Sequence, residues 1–216
     1  DGKIVIAGYV QNYTTQVARA TVVRLTQDGA PDPAFDEDGV LVTQLGETGT
    51  AFSNFYEVTV LTDGRILLAG SAKDAGGHPA TLLARRLVDG KPDPAFGTGG
   101  KKITQLGTGT NLNSGVAAMQ LQPDGKIVIA GAVTDTNAAQ PDAAMVARFD
   151  ADGQGLDPSF GTAGKYVGRL GTAGFLVQVN ALRLQPDGKP VVAGVTYDTS
   201  KNSPSAEALV ARLNAG

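Results

Sequence analysis

The sequence has no cysteine, no tryptophan and a single histidine, His78. The lack of cysteine excludes disulfides, thiolate metal ligands and a cysteine nucleophile. A single histidine argues against a metal site built on imidazole, because such sites combine several His or Cys ligands. No nucleophile elbow accompanies His78, so a serine–histidine–aspartate triad is not indicated. We interpret His78 as a solvated loop residue.

The sequence also has no excess of positive charge and no long apolar run. Its 216 residues include 18 Lys or Arg and 21 Asp or Glu, for a formal net charge of −3. This balance argues against nucleic acid or an anionic membrane as a partner. No apolar run reaches the roughly 18 residues of a transmembrane helix, so we expect no membrane insertion. Because Asp1 is not an initiator, we expect a trimmed or processed chain that has lost any secretion signal.

Glycine, by contrast, is abundant, with 29 residues, and many of these glycines belong to a repeat. The stretch LQPDGKIVIAG at 121–131 is written three more times with small changes. A period of about 60 residues predicts one supersecondary unit per copy. The Asp-Gly pairs of the copies begin at Asp1, Asp63, Asp124 and Asp187, which are 62, 61 and 63 residues apart.

Each repeat holds four short segments, named a to d in chain order. Segment a alternates apolar and polar residues, as in Leu182-Arg183-Leu184, which predicts a half-exposed strand. Segments b and c are short apolar runs, such as 127–130 and 145–147, which are typical of strands covered on both faces. The Pro-Asp-Gly between a and b predicts a hairpin turn. No long helical period occurs, so the chain is predicted to be all-β.

Four short antiparallel strands in each repeat predict the blades of a β-propeller. A β-solenoid or a sandwich is the alternative, but solenoid rungs are shorter and parallel and need no Pro-Asp-Gly hairpin. We expect 1–216 to be a single propeller domain or a section of a larger one. The predicted blade segments are about 1–46, 47–107, 108–171 and 172–216.

The compound pattern LQPDGKIVIAG, VARFDADG and LDPSFGTAGK resembles the delta-60 repeats, a bacterial β-propeller family of unknown function. The resemblance covers essentially the whole chain, with two local departures. Asp36-Glu37-Asp38 replaces the Gly-Thr-Ala/Gly of the other repeats, and the third repeat has an extra residue at Gln154-Gly155. The resemblance implies a propeller in an extracellular or cell-envelope setting, and it implies no activity.

The first and last repeats are incomplete. The chain holds segments b, c and d of the first repeat, two complete repeats, and segments a, b and c of the last. A propeller cut in this way has unpaired strand edges, which favour pairing with other strands. We therefore expect a section of a longer array, or two chains that complete one another. Self-assembly with further copies of the same repeat, through these open blade edges, is the alternative function.

An arginine follows the apolar run of segment c in every repeat, and in the first three repeats a phenylalanine follows eleven or twelve residues later. A ring of arginines can bind an anion, but a residue that recurs in every repeat more often holds the repeat together. We interpret the arginines as structural ion pairs, with Asp32, Asp93 and Asp157 as candidate partners, and the phenylalanines as plugs between neighbouring repeats. The positions are Arg24, Arg85, Arg148 and Arg212, with Phe35, Phe96 and Phe160.

Asp150, Asp152 and Asp157 have a spacing similar to part of a calcium loop. No glutamate closes such a loop at its twelfth position, and the Asp-Gly turns of the other repeats lack the full set. We therefore favour no metal and no cofactor, with calcium at these three aspartates as the alternative. Asp36-Glu37-Asp38 is a second acidic candidate.

A pair of carboxylates on the segments a would indicate a glycoside hydrolase, a class that includes some β-propellers. Glu57, Gln120 and Arg183 are the residues that we compare on these segments. One carboxylate does not make the pair, so we predict no enzymatic activity. A carbohydrate-active enzyme is the third functional hypothesis.

The repeats differ most between b and c and between d and a. Both kinds of connection emerge on one side of an up-and-down blade, and loops on a rigid scaffold often carry binding. The b–c connections are 9–20, 71–79, 132–143 and 195–206, and the d–a connections are 46–55, 107–115 and 171–179.

Aromatic residues on this variable side are candidate ligand contacts. Neutral drift, with the aromatic rings packed onto the blade, is the other interpretation. We predict a non-catalytic extracellular or cell-surface scaffold that binds a protein or a glycan here. The predicted ligand surface consists of Tyr9, Tyr13, Phe52, Phe55, His78, Phe175 and Tyr197.

Overall fold

A computed structural model describes residues 1–15, 17–48, 52–107, 112–135, 142–170, 175–198 and 205–214. Within these ranges all regular secondary structure is β-strand, so the all-β prediction is confirmed. The same ranges contain no helix that is long and apolar enough to cross a membrane.

The strands form four antiparallel sheets, and each strand pairs with its neighbours in sequence. The first sheet holds β1 (Ile4–Asn12), β2 (Val17–Leu25) and β3 (Val40–Thr43). The second holds β4 (Ser53–Val60), β5 (Ile66–Lys73), β6 (Pro79–Arg86) and β7 (Lys101–Thr104). The third holds β8 (Leu112–Leu121), β9 (Ile127–Asp135), β10 (Asp142–Phe149) and β11 (Lys165–Gly168). The fourth holds β12 (Phe175–Leu184), β13 (Pro190–Asp198) and β14 (Ser205–Arg212).

The turn between segments a and b fixes the register of each hairpin. In the third sheet the amide of Gln122 donates to the carbonyl of Lys126, and the amide of Gly125 donates to the carbonyl of Gln122, both over 2.9 Å. Gly125 has a φ of 84°, a left-handed conformation that glycine adopts without steric cost. Pro123 fixes its own φ near the value that the first corner of the turn requires. The strands on either side therefore pair in one fixed register, which begins with Leu121 opposite Ile127.

The glycine of the Ala-Gly pair in segment b also recurs, and in three sheets a bulge in the neighbouring first strand explains it. A Cβ at Gly131 would lie 1.9 Å from the carbonyl oxygen of Gly115 in the bulged β8, so the position admits no side chain. At Gly8, which lies in the first strand of its sheet, nothing lies within 4 Å of such a Cβ. The clash recurs at Gly70 with the carbonyl of Asn54 and at Gly194 with the carbonyl of Gln178.

The chain divides into two compact units, 1–104 and 105–216. In the first unit Phe35 is fully buried between the first two sheets, in one core with Val22 of β2 and Leu68 of β5. In the second unit Phe160 is buried with Val146 of β10 and Val192 of β13, between the third and fourth sheets. Each of these phenylalanines lies between two neighbouring sheets. The assignment of 1–216 to one whole or partial propeller domain stays a prediction.

Strands extend into each of the predicted variable loops. The b–c connection of the first repeat was predicted over 9–20, but β1 runs to Asn12 and β2 begins at Val17, with Tyr9 paired opposite Ala20. The ladder continues because the backbone amides and carbonyls at the far end of the hairpin still need partners. The side chains there are only partly covered, so they do not show the continuous apolar run by which segments b and c are recognised.

Candidate ligand-binding surface

One end of the first sheet carries a polar corner made by an arginine, an aspartate and a phenylalanine. Nε of Arg24 donates to Oδ2 of Asp32 over 2.7 Å, and both side chains are buried. The guanidinium carbon of Arg24 lies 4.8 Å from the centre of the Phe35 ring, a cation–π contact. The corner recurs with Arg85, Asp93 and Phe96 (2.6 and 4.8 Å) and with Arg148, Asp157 and Phe160 (2.8 and 5.0 Å).

A second cation, which the sequence analysis missed, shares each of these aspartates. Nζ of Lys3 lies 2.9 Å from Oδ2 of Asp32, and the amide of Ala34 donates to Oδ1 over 3.1 Å. Lys3, Ala34 and Arg24, in this order, lower the pKa of Asp32 to about 2. A basic residue directly after each Asp-Gly was the available signal. The second cations are Arg65 at Asp93 and Lys126 at Asp157, each at 3.0 Å.

The contacts of this corner join groups of the same chain, which favours a structural role. Both carboxylate oxygens of Asp32 are contacted by groups of the same chain, Oδ2 by Arg24 and Lys3 and Oδ1 by the amide of Ala34. The amide of Asp32 also donates to the carbonyl of Arg24 over 2.9 Å, which fixes the start of the connection between β2 and β3. We interpret the recurring corner as the contact that holds this connection against its sheet.

Arg212 holds the same position in the fourth sheet but has no corner around it. It pairs opposite Val191, as Arg148 pairs opposite Val128. The sequence stops before the positions that carry the aspartate and the phenylalanine in the other repeats. Arg212 is exposed, whereas Arg148 is buried.

Farther along the sheets of the first compact unit lie two exposed tyrosines. Tyr9 of β1 and Tyr56 of β4 are each 52% exposed. Tyr56 is the bulged residue of β4, because the ladder skips from Phe55 to Glu57, and a bulge re-aims the side chain. Nδ2 of Asn54 donates to the Tyr56 hydroxyl over 2.7 Å. Partial burial raises the pKa of Tyr56; the bond from Asn54 opposes this shift, and the nearby Tyr9 adds to it.

Neither tyrosine is repeated. The position of Tyr56 at the bulge is held by Ala117 in the third sheet and by Asn180 in the fourth. The position of Tyr9, directly after the Ala-Gly of segment b, is held by Ser71, Ala132 and Val195. The other sheets form without aromatic residues at these places. The two tyrosines are therefore not required by the architecture of the repeat.

Other members of the predicted ligand surface lie apart from this pair. Tyr13 is exposed in the turn after β1, where Oδ1 of Asn12 accepts the amides of Thr14 and Thr15 over 2.9 and 3.0 Å. Tyr197 is half-buried in β13, and its hydroxyl donates to Oε1 of Gln178 over 3.3 Å.

The prediction that Phe55 contributes to the ligand surface is wrong. Phe55 is 1% exposed and belongs to the core between the first two sheets. It pairs opposite Gly70, directly before the bulge, so its ring points inward while Tyr56 is turned outward. Phe52 is half-buried just before β4. The side chain of Phe175, the first residue of β12, lies outside the described part of the structure.

His78 lies at the end of a tight turn between β5 and β6. Its amide donates to Oδ1 of Asp74 over 2.9 Å, and its carbonyl accepts the amide of Asp74 over the same distance. Its imidazole Nδ1 is 3.8 Å from Oδ1 of Asp74, too far for a hydrogen bond. The geometry therefore gives the backbone of His78, and not its imidazole, a role in closing the turn.

The three aspartates of the calcium alternative have separate surroundings. Asp157 is held in its corner by Arg148 and Lys126, and Oδ1 of Asp152 accepts the amide of Gln154 over 3.2 Å. Among the described residues, no three His, Cys, Asp or Glu side chains are grouped so as to hold a metal ion. Calcium binding at Asp150, Asp152 and Asp157 stays a prediction.

The structure corrects the comparison of segments a. Gln120 pairs opposite Val128 and Arg183 opposite Val191, and the residue with the same register in β4 is Thr59, opposite Leu67. Glu57 lies two residues earlier, so the comparison with Glu57 is wrong. The three equivalent positions contain no carboxylate.

A model of the family described as Domain of unknown function (DUF5122) beta-propeller matches residues 1–35, 61–96 and 122–160, about half of the chain. This match and the four antiparallel sheets confirm the predicted propeller class. A search of curated proteins gives no match. An exo-1,5-α-L-arabinanase from a bovine ruminal metagenomic library is similar, with 10% identity and a TM-score of 0.30, over 99% of this chain and 90% of that one. A TM-score of this size assigns no activity to the chain.

Proposed function

Because the chain belongs to the family described as Domain of unknown function (DUF5122) beta-propeller, we propose that it is a non-catalytic binding scaffold. Its setting is extracellular or at the cell surface, and its ligand is a protein or a glycan. The proposal equates the family with the bacterial delta-60 repeats and includes no cofactor. The recurring Asp-Gly hairpins and c–d connections support that identification.

The observation that carries the proposal is the contrast between repeated and unrepeated side chains. The repeated charged corners are buried and neutralised within the chain, as Asp32 is by Lys3 and Arg24. Tyr9 and Tyr56 are not repeated and are half exposed. In a binding module, repeated contacts are expected to stabilise the fold, and exposed residues that differ between repeats are expected to contact the ligand.

The chemistry of the tyrosine pair suits a ligand with both apolar and polar groups. A tyrosine ring offers a large, rigid contact area and loses only two rotatable bonds on binding. The Tyr56 hydroxyl accepts the bond from Asn54, so its own proton remains available to a ligand acceptor. Since the pKa of Tyr56 is raised, this hydroxyl keeps its proton at neutral pH. A sugar ring or an extended peptide presents matching groups.

Arrays test the proposal directly. The labelled chain is applied to a glycan array and to an array of extracellular proteins, and each hit is titrated by calorimetry. We expect the double variant Tyr9→Ala, Tyr56→Ala to bind the hit at least tenfold more weakly. Val88→Ala is the control, because Val88 is exposed on a turn of the second sheet beside the polar corner. Binding by the double variant with the affinity of the unmodified chain would contradict the proposal.

A further inference from the structure

Asp-Gly occurs eight times in the chain, and seven of the eight aspartates share one hydrogen bond. In each of the seven, Oδ1 accepts the backbone amide of the residue that follows the glycine, over 2.8–3.2 Å. Asp89 is an example, with the amide of Lys91 at 3.1 Å. The arrangement is an Asx turn, in which the carboxylate bonds to the backbone two residues ahead. The seven are Asp1, Asp38, Asp63, Asp89, Asp124, Asp152 and Asp187.

Asp28 is the exception, because the hydroxyl of a threonine takes the amide that its carboxylate would need. The amide of Ala30 donates to Oγ1 of Thr26 over 3.2 Å. Asp28 is exposed, and its carboxylate makes no hydrogen bond or ion pair with the described residues. The carboxylate of Asp28 is therefore free to rotate about its side-chain bonds.

The turn around Asp28 otherwise has the same backbone hydrogen bonds as the turn around Asp89. In both turns the amide of the first residue donates to the carbonyl of the fifth, over 2.8 and 2.9 Å, and the glycine amide donates to the carbonyl of the first, over 3.0 Å. The first residue is Thr26 in one turn and Leu87 in the other. Leucine carries no acceptor, so the amide of Lys91 is left for Asp89.

A free aspartate side chain before glycine can rearrange the main chain. The nitrogen of Gly29 attacks Cγ of the protonated Asp28 carboxyl and loses its proton, the carboxyl loses its hydroxyl as water, and a five-membered cyclic imide forms. Water then opens the ring, and opening at the backbone carbonyl of Asp28 leaves isoaspartate, whose main chain runs through Cβ and Cγ. The water that is released is regained, so nothing is oxidised or reduced and the mass is unchanged. Ring closure is unhindered at Gly29, because glycine has no Cβ and nothing lies within 4 Å of the place where a Cβ would be.

The hydrogen bond that Asp28 lacks opposes both requirements of this reaction. Attack needs a protonated carboxyl that is turned towards the glycine nitrogen. The bond from the amide two residues ahead holds the carboxyl in one position and stabilises its ionised form. At Asp89, the amide of Lys91 is the largest cause of a lowered pKa, followed by the Lys91 side chain.

We propose that Asp28 is the preferred site of isoaspartate formation in the folded chain, and that the hydroxyl of Thr26 determines this preference. The product lengthens the main chain by one carbon within the connection that leads from Arg24 to Asp32, the first polar corner. The modification goes beyond ligand binding and uses other residues, so it is tested separately from the proposed function.

Incorporation of heavy oxygen from water tests the preference in the unmodified chain. The folded chain is incubated at about pH 6 in water labelled with heavy oxygen, digested in ordinary water, and its peptides are weighed by mass spectrometry. Each passage through the imide adds one labelled oxygen. The peptide with Asp28 is expected to gain label about tenfold faster than the other Asp-Gly peptides, which corresponds to the loss of one hydrogen bond. Electron-transfer fragmentation of the same peptide is expected to identify isoaspartate at Asp28.

Two reciprocal variants test the part played by the hydroxyl. Thr26→Leu frees the amide of Ala30 and is expected to lower the labelling of Asp28 to the level of Asp89. Leu87→Thr is expected to raise the labelling of Asp89 to the level of Asp28. Thr26→Ser keeps a hydroxyl and is the matched control, in which the labelling of Asp28 is expected to be unchanged.

In urea, where the turns are lost, all eight Asp-Gly pairs are expected to gain label at similar rates. A preference for Asp28 that persists in urea would overturn the proposal, because it would belong to the neighbouring sequence and not to the fold. Labelling of Asp28 no faster than that of Asp89 in the folded chain, or unchanged labelling in Thr26→Leu or Leu87→Thr, would overturn it as well. If Thr26→Leu loses its β-sheet circular dichroism, Thr26→Val replaces it.

Discussion

Arg85 and Arg86 are neighbours in β6, and both are buried, but they point to opposite faces of the second sheet. Nε of Arg85 donates to Oδ2 of Asp93 over 2.6 Å. Nε and Nη2 of Arg86 are buried and donate to no acceptor among the described residues. Burial lowers the pKa of Arg86, and the negative charge of Asp36 opposes that shift. Arg85 thus has a carboxylate partner that offsets the cost of burying its charge, whereas Nε and Nη2 of Arg86 are buried without hydrogen bonds to the described residues.

We expect substitution of these two arginines to have opposite effects. Arg86→Leu introduces the residue type found at the equivalent Leu25 and Leu213, and it removes buried donors that lack partners. It should raise the free energy of unfolding by about 1–3 kcal/mol. Arg85→Leu leaves Asp93 without its nearest cation and should lower the free energy of unfolding by about 3 kcal/mol. Urea titrations of both variants test the pair, and a loss of stability in Arg86→Leu would contradict the first expectation.

Acid is expected to destabilise the chain through the aspartates of the corners. The pKa of Asp32 is lowered to about 2, first by Lys3 and then by Ala34 and Arg24. A carboxyl with a lowered folded pKa stabilises the fold above its unfolded value, near 4, and loses this contribution as the pH falls towards the folded value. The midpoint of urea unfolding should therefore be steady from pH 7 to 5 and fall between pH 4 and 2. Asp32→Asn should reduce that fall, and an unchanged fall would contradict the assignment.

The pKa values of Asp93 and Asp157 are lowered like that of Asp32, so both carboxyls are expected to add to the loss of stability in acid. Burial works against ionisation at both, but it is outweighed by hydrogen bonds to each carboxylate. At Asp93 they come from the amide of Ala95 and from Arg85 and Arg65, and they lower its pKa. At Asp157 they come from Ser159 and Lys126, with Arg148 adding its charge, and they lower its pKa strongly. Nuclear magnetic resonance titration of the carboxyl carbons from pH 6 to 2 would place both groups below an ordinary aspartate.

Two glycines of the same motif are expected to respond differently to alanine. At Gly131 a Cβ meets the Gly115 carbonyl oxygen at 1.9 Å, so Gly131→Ala should lower the free energy of unfolding by about 1–3 kcal/mol. At Gly8 there is open space, and Gly8→Ala should be neutral or stabilise by about 0.5 kcal/mol. Thermal melting followed by circular dichroism compares the two. Equal losses would show that the bulge does not set the requirement for glycine.

The hydroxyl of Tyr56 is expected to ionise late. Its pKa is raised by partial burial and further by Tyr9, against the bond from Asn54. The chain has no tryptophan, so absorbance at high pH follows its 5 tyrosines without interference. Tyr56→Phe should remove a late phase from the titration, and Tyr9→Phe should make Tyr56 titrate earlier. If neither variant changes the end of the titration, the two phenols are not neighbours.

The repeat made much of the fold predictable. Gly125 and its counterparts mark the hairpin turns, and the apolar runs around Ile129 and Val146 mark strands buried on both sides. The ends of the strands were not predictable in this way. Tyr9 lies in the part of β1 where side chains are half covered, and a half-covered strand has no apolar run to reveal it. Backbone pairing, to which every residue type except proline brings both a donor and an acceptor, extends the strand there.

The candidate surface was harder to predict than the fold. Phe55 and Tyr56 are adjacent aromatic residues, and the bulge between β4 and β5 turns one into the core and the other towards solvent. A bulge shifts the alternation of a strand by one residue, so a sequence pattern alone assigns the wrong side to everything beyond it. Lys3 was missed for a different reason, because its partner Asp32 lies 29 residues away and only the folded corner joins them.

The central claim is that repeated side chains hold the scaffold while the unrepeated Tyr9 and Tyr56 bind. It is tested most directly by the melting temperature of the Tyr9→Ala, Tyr56→Ala variant, with and without a ligand identified on the arrays. A ligand that binds the folded state raises the melting temperature. We predict that the variant melts at the temperature of the unmodified chain and that the ligand no longer raises it. A lower melting temperature together with an intact ligand-induced rise would contradict the claim.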